Sequence, residues 1–298
     1  MPRKPSSHKS RLRFREVVLK RWEDIEALEF EWSGHIFRGQ SNADWSLDSS
    51  VQRLFKRIQQ DQPLNGEHWL LYEFKRRAHL YIECPDDDDI LSWLALMQHH
   101  GAPTRLLDFT YSFYVACFFA LIDTAGDSAV WSINEVWLRS LSTCVATANC
   151  GRESAGLRDD DYELINSFAN EYLYDLLSRG KRNPDLQTII PAVLTVEPFR
   201  QVKRMATQQG VFLMPADIER GFLDNIKRSL DLARKTSSEE WEKEYYSDIG
   251  SNIKKYVLPN SMRDTGLAYL KQMNITYETL FPGIDGFARS LVHTVAET

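Results

Sequence analysis

The stretch Gln98-His-His-Gly-Ala-Pro-Thr-Arg-Leu-Leu-Asp-Phe-Thr110 joins two segments with the hydrophobic pattern of helices. The first of these helices is predicted at Ile90–His99. The acidic run Asp86–Asp89 stands directly before it, where carboxylates interact favourably with the helix dipole. Phe113–Ile122 follows and is the longest apolar run, about half the length that a membrane helix needs. Gly101 ends the first helix. The stretch therefore predicts a polar loop between two buried helices.

Other segments predict further strands and helices on both sides of this loop. Runs rich in β-branched and aromatic residues predict strands at Arg15–Leu19, His35–Phe37, Ala129–Ile133, Thr188–Val196, Val211–Met214 and Lys254–Leu258. Helical patterns occur at Trp22–Phe30, Ser49–Gln59, Glu67–Ile82, Tyr162–Ser178, Arg200–Gln208, Asp217–Tyr246, Arg263–Met273 and Gly286–Val295. Because strands and helices do not alternate regularly, we expect an α+β fold with a small mixed sheet surrounded by many helices.

Basic residues are concentrated at the start of the chain. The 298 residues include 36 Lys and Arg and 42 Asp and Glu, for a net charge of −6. Residues 1–21 hold eight basic residues and one acidic residue, a charge of +7, so the remainder carries −13. This excludes a uniformly basic body that coats nucleic acid. We expect a flexible basic arm at residues 1–14 and one domain at 15–298, with a helical insertion at about 140–187.

The cysteines and the N-terminus bear on the compartment. The four cysteines form no C-x-x-C pair, and Cys84 and Cys117 have apolar neighbours. This pattern is typical of a reduced cytoplasm, and it indicates neither a disulfide framework nor a metal site. The basic N-terminus is not followed by the apolar segment of a secretory signal. We expect a cytoplasmic protein with no membrane partner.

Four short stretches combine polar and apolar residues at high density, whereas the common catalytic motifs are missing. The sequence has no P-loop, dinucleotide-binding glycine motif, H-E-x-x-H or G-x-S-x-G. The four stretches are Phe37–Gln40, Gln98–Thr110, Arg204–Phe212 and Leu280–Gly286. They are the candidates for a functional site.

These stretches resemble the FRG-domain family, which is named for the Phe-Arg-Gly motif that stands here at Phe37–Gly39. Gln98–Thr110 is similar to the signature block of that family, and the two later stretches are similar to its later blocks. The sequence departs from the family where Phe109 replaces the usual Trp and Phe113 replaces a frequent Pro. The resemblance implies an ADP-ribosyltransferase-like fold and a bacterial setting of toxin–antitoxin systems and phage defence.

The resemblance further implies NAD⁺ as the substrate of an ADP-ribosyltransferase. The acceptor is expected to be RNA, most simply mRNA whose modification blocks translation, and an antitoxin protein is expected to hold the toxin inactive. The Arg38 guanidinium suits a phosphate or ribose, and Phe109 or Tyr111 is expected to stack on nicotinamide. The residues expected to bind NAD⁺ are Phe37, Arg38, Gly39, Gln40, Arg105, Asp108, Phe109, Thr110 and Ser112.

The resemblance implies a catalytic Glu at the place where Gln208 or Gln209 stands in this sequence. A glutamine has no charge to offset an oxocarbenium ion and cannot act as a base. His99 or His100 is therefore a candidate base, since an imidazole accepts a proton near neutral pH. Asp108 or Glu197 is the alternative.

Structural roles are open for the same residues. Arg38 suits an ion pair with Asp44 or Asp108, Arg105 suits one with Asp108, and Thr110 suits a helix N-cap. Two other functions also stay open: hydrolysis of NAD⁺ without an acceptor, and a binding module that senses a ligand without turnover. The sequence has no carboxylate pair with nuclease spacing, which disfavours a metal-dependent nuclease.

Overall fold

The computed structural model describes residues 14–28, 33–150, 162–177, 189–198, 203–236 and 249–296. The strands are β1 Arg15–Val18, β2 His35–Gln40, β3 Leu107–Thr110, β4 Ser128–Asn134, β5 Val193–Val196, β6 Gly210–Pro215 and β7 Ile253–Leu258. The first helices are α1 Glu23–Glu26, α2 Ser50–Ile58, α3 Pro63–Ala78, α4 Ile90–His99, α5 Phe113–Leu121, α6 Glu135–Cys150 and α7 Tyr162–Leu177. The later helices are α8 Lys203–Thr207, α9 Phe222–Thr236, α10 Ile249–Asn252, α11 Arg263–Gln272, α12 Tyr277–Leu280 and α13 Ile284–Ala296.

The seven strands form one mixed sheet in the order β1-β7-β4-β2-β3-β6-β5. β1 and β7 are parallel, and the other neighbours are antiparallel. The ladder between β2 and β3 consists of one residue pair, Phe37 with Thr110, whereas β2 and β4 share six. The sheet is therefore joined at its centre by a very short ladder, and beyond that pair β2 and β3 are not hydrogen-bonded as strands.

Helices cover both faces of the sheet because its central strands are apolar on both sides. On one face α5 packs with Phe37, Tyr256 and the helices near the chain end. On the other face α6 and α9 cover Ile36, Trp131 and Val211. A third cluster joins α3, α4 and α7 to β5 and β6. These results confirm the predicted α+β class.

Local chemistry explains where the helices of the central loop begin and end. α4 has the predicted bounds, because the Asp89 side chain accepts a hydrogen bond from Ser92 N at 3.1 Å and caps the helix. Gly101 has φ +81°, a conformation that stops a helix and that glycine adopts freely. The cap of α5 is Ser112, which accepts from Val115 N at 3.3 Å. Thr110 is not that cap.

The sheet departs from the sequence prediction at its centre. β2 does not end at Phe37 but continues through Arg38 to Gln40, so the Phe-Arg-Gly motif lies inside a strand. β3 was not predicted, because Leu107–Thr110 is short and its Asp108 is exposed. α7 and the later part of α6 lie in the segment expected to be an insertion, and both helices contribute buried residues to the core.

None of the helices in the described part of the chain is both long and apolar enough to cross a membrane.

Candidate functional site

A cavity of about 370 Å³ lies where β2 and β3 separate, and we call it the Arg38 cavity. β2 and the loop after it supply one wall, and β3 supplies another. The lining residues are Phe37, Arg38, Gly39, Gln40, Ser41, Trp45, Arg53, Asp108, Phe109, Thr110, Phe119, Arg204 and Gln208. A volume of this size is in the range of small-molecule sites.

A second, smaller pocket of about 80 Å³ shares one wall with the Arg38 cavity, and we call it the His99 pocket. Asp108, Phe109, Arg204 and Gln208 line both spaces. The remaining lining residues of the small pocket are Ala95, Gln98, His99, Pro198, Met205, Gly210, Val211 and Phe212. The two spaces therefore form adjoining parts of one candidate site.

Arg38 is the best-placed cation of the site. Its Nη1 donates a hydrogen bond to the Asp108 carbonyl oxygen at 2.6 Å and lies 3.9 Å from the Asp108 carboxylate. Its Nε is buried and finds no hydrogen-bond partner among the described residues. Burial lowers the pKa of Arg38, Asp108 opposes this effect and Arg53 adds to it. An anion in the cavity would offset this lost hydration.

Two further arginines face the same cavity. Arg53, from α2, donates to the Asp48 carbonyl oxygen at 2.6 Å. The Arg204 guanidinium lies 4.2 Å from the centre of the Phe281 ring. Burial lowers the pKa of Arg204, which Asp108 and Tyr277 counteract. Among the described lining residues, three guanidinium groups therefore stand against one carboxylate, that of Asp108.

Gly39 is required by packing with α5. A Cβ at this position would lie 2.0 Å from the Ala116 carbonyl oxygen and 2.7 Å from Ala120 N. The glycine allows β2 and α5 to approach closely and so fixes the position of Arg38 next to it.

Several predicted ligand residues have their side chains occupied within the protein. The Gln40 amide donates to the Ser46 carbonyl at 3.0 Å and accepts from Trp131 Nε1 at 2.9 Å. Phe37 is buried and its ring packs on Phe113 at 5.2 Å. Phe109 is also buried, and its ring stacks on Phe222.

Phe109 or Tyr111 was expected to stack on nicotinamide, and of the two Tyr111 lines neither space. Its hydroxyl contacts Glu135 at 2.9 Å and Glu197 at 3.0 Å. Burial, assisted by the neighbouring hydroxyl of Tyr162 and both carboxylates, raises the pKa of Tyr111. Glu197, an alternative activating residue, also lines neither space, and its carboxylate accepts a hydrogen bond from the Tyr111 hydroxyl.

Arg105 lies in the core and not on the cavity. Its side chain is 0% exposed and forms a two-pronged ion pair with the buried Glu67, in which Nε donates to Oε1 at 2.8 Å. Its Nη1 donates to the Ala216 carbonyl oxygen at 2.8 Å. The partner is Glu67 of α3 and not Asp108. The guanidinium is thus engaged inside the protein, remote from any ligand in the cavity.

Of the four candidate catalytic residues, His99 and Gln208 line the site, whereas His100 and Gln209 do not. His99 lines the His99 pocket, whereas His100 is exposed and lies on neither wall. Burial lowers the pKa of His99, and the nearby His100 and Arg204 lower it further, so its imidazole is neutral at pH 7. Gln208 lines both spaces, and its Nε2 donates to the Leu280 carbonyl oxygen at 3.0 Å. Gln209 is exposed and has φ +50°.

Thr110 lines the Arg38 cavity, and its hydroxyl also holds neighbouring backbone in place. The Thr110 hydroxyl donates to the Gln208 carbonyl oxygen at 2.7 Å and accepts from Ser112 N at 3.0 Å. It therefore ties the end of β3 to the turn that carries Gln208. Ser112, as the cap of α5, does not line the cavity.

Sequence reasoning missed four residues that complete the cavity wall, which are Ser41, Trp45, Arg53 and Phe119. Arg53 lies on the predicted helix Ser49–Gln59, but a helical pattern only marks it as polar. Trp45 stands in a polar segment between a strand and a helix, where an isolated aromatic residue is the one available signal.

Residues 33–128 match the family model of the FRG domain, and this range includes Phe37–Gly39 and Gln98–Thr110. The chain contains an FRG domain. The match confirms the resemblance, and it ends before Arg204 and Gln208, which the fold brings to the site from outside the matched range. No curated protein and no solved structure matches the chain.

Proposed function

We propose that this FRG domain binds NAD⁺ in the Arg38 cavity and transfers its ADP-ribosyl group to an acceptor. The observation that carries the proposal is the group of three arginines, Arg38, Arg53 and Arg204, around one cavity. The diphosphate of a dinucleotide carries two negative charges, and guanidinium groups match phosphate oxygens in geometry. The buried Nε of Arg38 without a partner among the described residues offers a further donor.

In the proposed reaction the bond between ribose C1′ and the nicotinamide nitrogen breaks. Its electron pair stays on nicotinamide, which leaves as a neutral molecule, and an oxocarbenium-like charge develops on the ribose, as in glycoside cleavage. An acceptor hydroxyl then forms the new bond to C1′, and its proton passes to a base. Holding the reactants in this alignment is a large part of the catalytic effect.

His99 is the base that the site supports best. It lines the pocket next to the Arg38 cavity, and its lowered pKa keeps the imidazole unprotonated at neutral pH, ready to accept a proton. Gln208 has an amide that cannot take this role, and it is engaged with Leu280. Gln208 instead fixes the wall that the cavity and the pocket share.

The acceptor that we propose is RNA. A polyanion suits the basic residues within 1–21, eight of which are Lys or Arg, and its binding would weaken steeply with salt. The family setting extends the proposal to a toxin in phage defence that modifies mRNA and is held inactive by an antitoxin.

A second candidate function, ligand binding without turnover, is favoured by one observation. Asp108 is the one carboxylate among the described lining residues, and it lies 3.9 Å from Arg38, so it is not free to offset positive charge on a ribose. A binding module would use the same arginines but would release no nicotinamide.

One assay separates these functions. The purified protein is incubated with NAD⁺ labelled with ³²P in the adenylate phosphate, with and without RNA, and nicotinamide and labelled RNA are measured. Transfer predicts labelled RNA and nicotinamide in equal amounts. Hydrolysis predicts nicotinamide and free ADP-ribose without RNA. Saturable NAD⁺ binding with no release of nicotinamide would support the binding module and overturn the proposed transfer.

A further inference from the structure

Trp45 differs from the other aromatic side chains on the wall of the Arg38 cavity. Its side chain is 52% exposed, whereas Phe37 and Phe109 are buried and Phe119 is partly buried. An indole has a large flat apolar face, which stacks well on another aromatic ring. Among the described residues that line this cavity, Trp45 is therefore the aromatic residue whose ring is open to a ligand.

The loop that carries Trp45 is held in place on both sides of it. Ala43 N donates to the Asp127 carbonyl oxygen at 2.8 Å. After Trp45, the Ser46 carbonyl oxygen accepts from the buried Gln40 amide at 3.0 Å. These bonds fix the loop to β2 and to the segment before β4, so the backbone that carries the indole is held in place before any ligand binds.

The position of Trp45 relative to the charged groups indicates which part of a ligand it contacts. Trp45 shares the Arg38 cavity with Arg38 and Arg53, and it does not line the His99 pocket. In the proposed function the bond that breaks lies beside His99. The adenine of the adenylate half then lies on the other side of the diphosphate, toward Trp45.

We propose that Trp45 stacks on the adenine of a nucleoside diphosphate whose phosphates are bound by Arg38 and Arg53. The inference rests on the proposed function, since it assigns the adenylate half of NAD⁺ to one end of the Arg38 cavity. It also names the ligand class, nucleotides with a planar purine attached to a diphosphate.

Titration calorimetry with two probes tests the stacking. ADP carries the base and the diphosphate, and inorganic pyrophosphate carries the diphosphate alone. Loss of one base–aromatic stack weakens binding by about 5- to 150-fold. We expect Trp45→Ala to weaken ADP binding by this factor and to leave pyrophosphate binding within about twofold. Trp45→Phe keeps an aromatic face and should restore most of the ADP affinity.

Trp69→Ala is the matched control. Trp69 is 58% exposed on α3 and lies outside the Arg38 cavity, so its loss should leave ADP affinity unchanged. Equal ADP affinity in wild type and Trp45→Ala would overturn the stacking while the proposed function stands. An equal loss of ADP and pyrophosphate affinity in Trp45→Ala, with Trp45→Phe no better, would assign Trp45 a structural role and also overturn it. If the wild type binds neither ADP nor NAD⁺, the proposed function fails and the stacking with it.

Discussion

Arg38 and Arg105 stand in the two stretches that define the FRG domain here, and the fold places them in opposite environments. Arg38 lies on a cavity wall, with its Nε unpartnered among the described residues. Arg105 is completely buried and pairs with Glu67, whose side chain is 2% exposed. The same side chain therefore lines a cavity in one region and has a structural position in the other. A conspicuous arginine in a motif does not by itself indicate which.

The largest effect is expected in the core. Arg105→Ala leaves the Glu67 carboxylate buried without its partner, and breaking a buried pair in this way costs about 3–5 kcal/mol of the free energy of unfolding. Urea denaturation followed by circular dichroism measures this cost. Arg76→Ala is the control, because its ion pair with Glu73 is exposed and contributes about 0–1 kcal/mol. Similar stability of both variants would contradict the structural role of Arg105.

The next effect concerns the pH dependence of the site. His99→Gln removes the proposed base and should reduce nicotinamide release by about 100-fold at neutral pH. In the wild type the midpoint of the fall in rate on acidification should lie below 6.5, the ordinary pKa of histidine, because burial lowers the pKa of His99. Rates of nicotinamide release measured from about pH 4.5 to about pH 8, in steps of about half a pH unit, test the position of this acid limb.

His100→Gln is the matched control for this profile, since His100 is the adjacent exposed residue and lies on neither wall. It should keep an acid limb, displaced to higher pH because His100 no longer lowers the pKa of His99. An unchanged acid limb in His99→Gln would show that another group accepts the proton.

The sequence predicts some elements of the fold better than others, as α4 and β3 show. The bounds of α4 agree with the prediction, because its cap Asp89 and its terminating Gly101 are local signals. β3 was missed because its strand state depends on pairing with β6, which is distant in sequence.

The candidate site divides in the same way. Arg38, Asp108, Thr110 and Gln208 were indicated by motifs and do line the cavity. Arg105 resembles them in sequence but differs in position, since its partner Glu67 is 38 residues away. No local pattern reports such a pairing.

A smaller effect tests the contact that positions Arg38. Gly39→Ala places a Cβ 2.0 Å from the Ala116 carbonyl oxygen, so β2 and α5 must move apart. Overpacking of this kind costs about 1–3 kcal/mol. Gly126→Ala is the control, because no atom lies within 4 Å of its added Cβ. If thermal denaturation shows equal losses for both, close approach of α5 is not the reason for the glycine.

The smallest effect is expected at the cap of α5. Ser112→Ala removes the acceptor for Val115 N and should lower the free energy of unfolding by about 1 kcal/mol. Ser112→Asp retains an acceptor at this position and should recover most of that loss in the same denaturation experiment. Equal stability of Ser112→Ala and the wild type would contradict the capping role.

The most direct measurement is the equilibrium binding of ADP-ribose by titration calorimetry to the wild type, Arg38→Ala and Arg263→Ala. Arg263 is the matched control, since it also donates to a backbone carbonyl, that of Ile122, and has a buried unpartnered Nε among the described residues, but it lies outside the cavity. Loss of a charged hydrogen bond to phosphate predicts binding weakened by about 10- to 100-fold in Arg38→Ala and unchanged in Arg263→Ala. Equal affinity of Arg38→Ala and the wild type, or no binding by the wild type, would contradict the assignment of the Arg38 cavity as the NAD⁺ site.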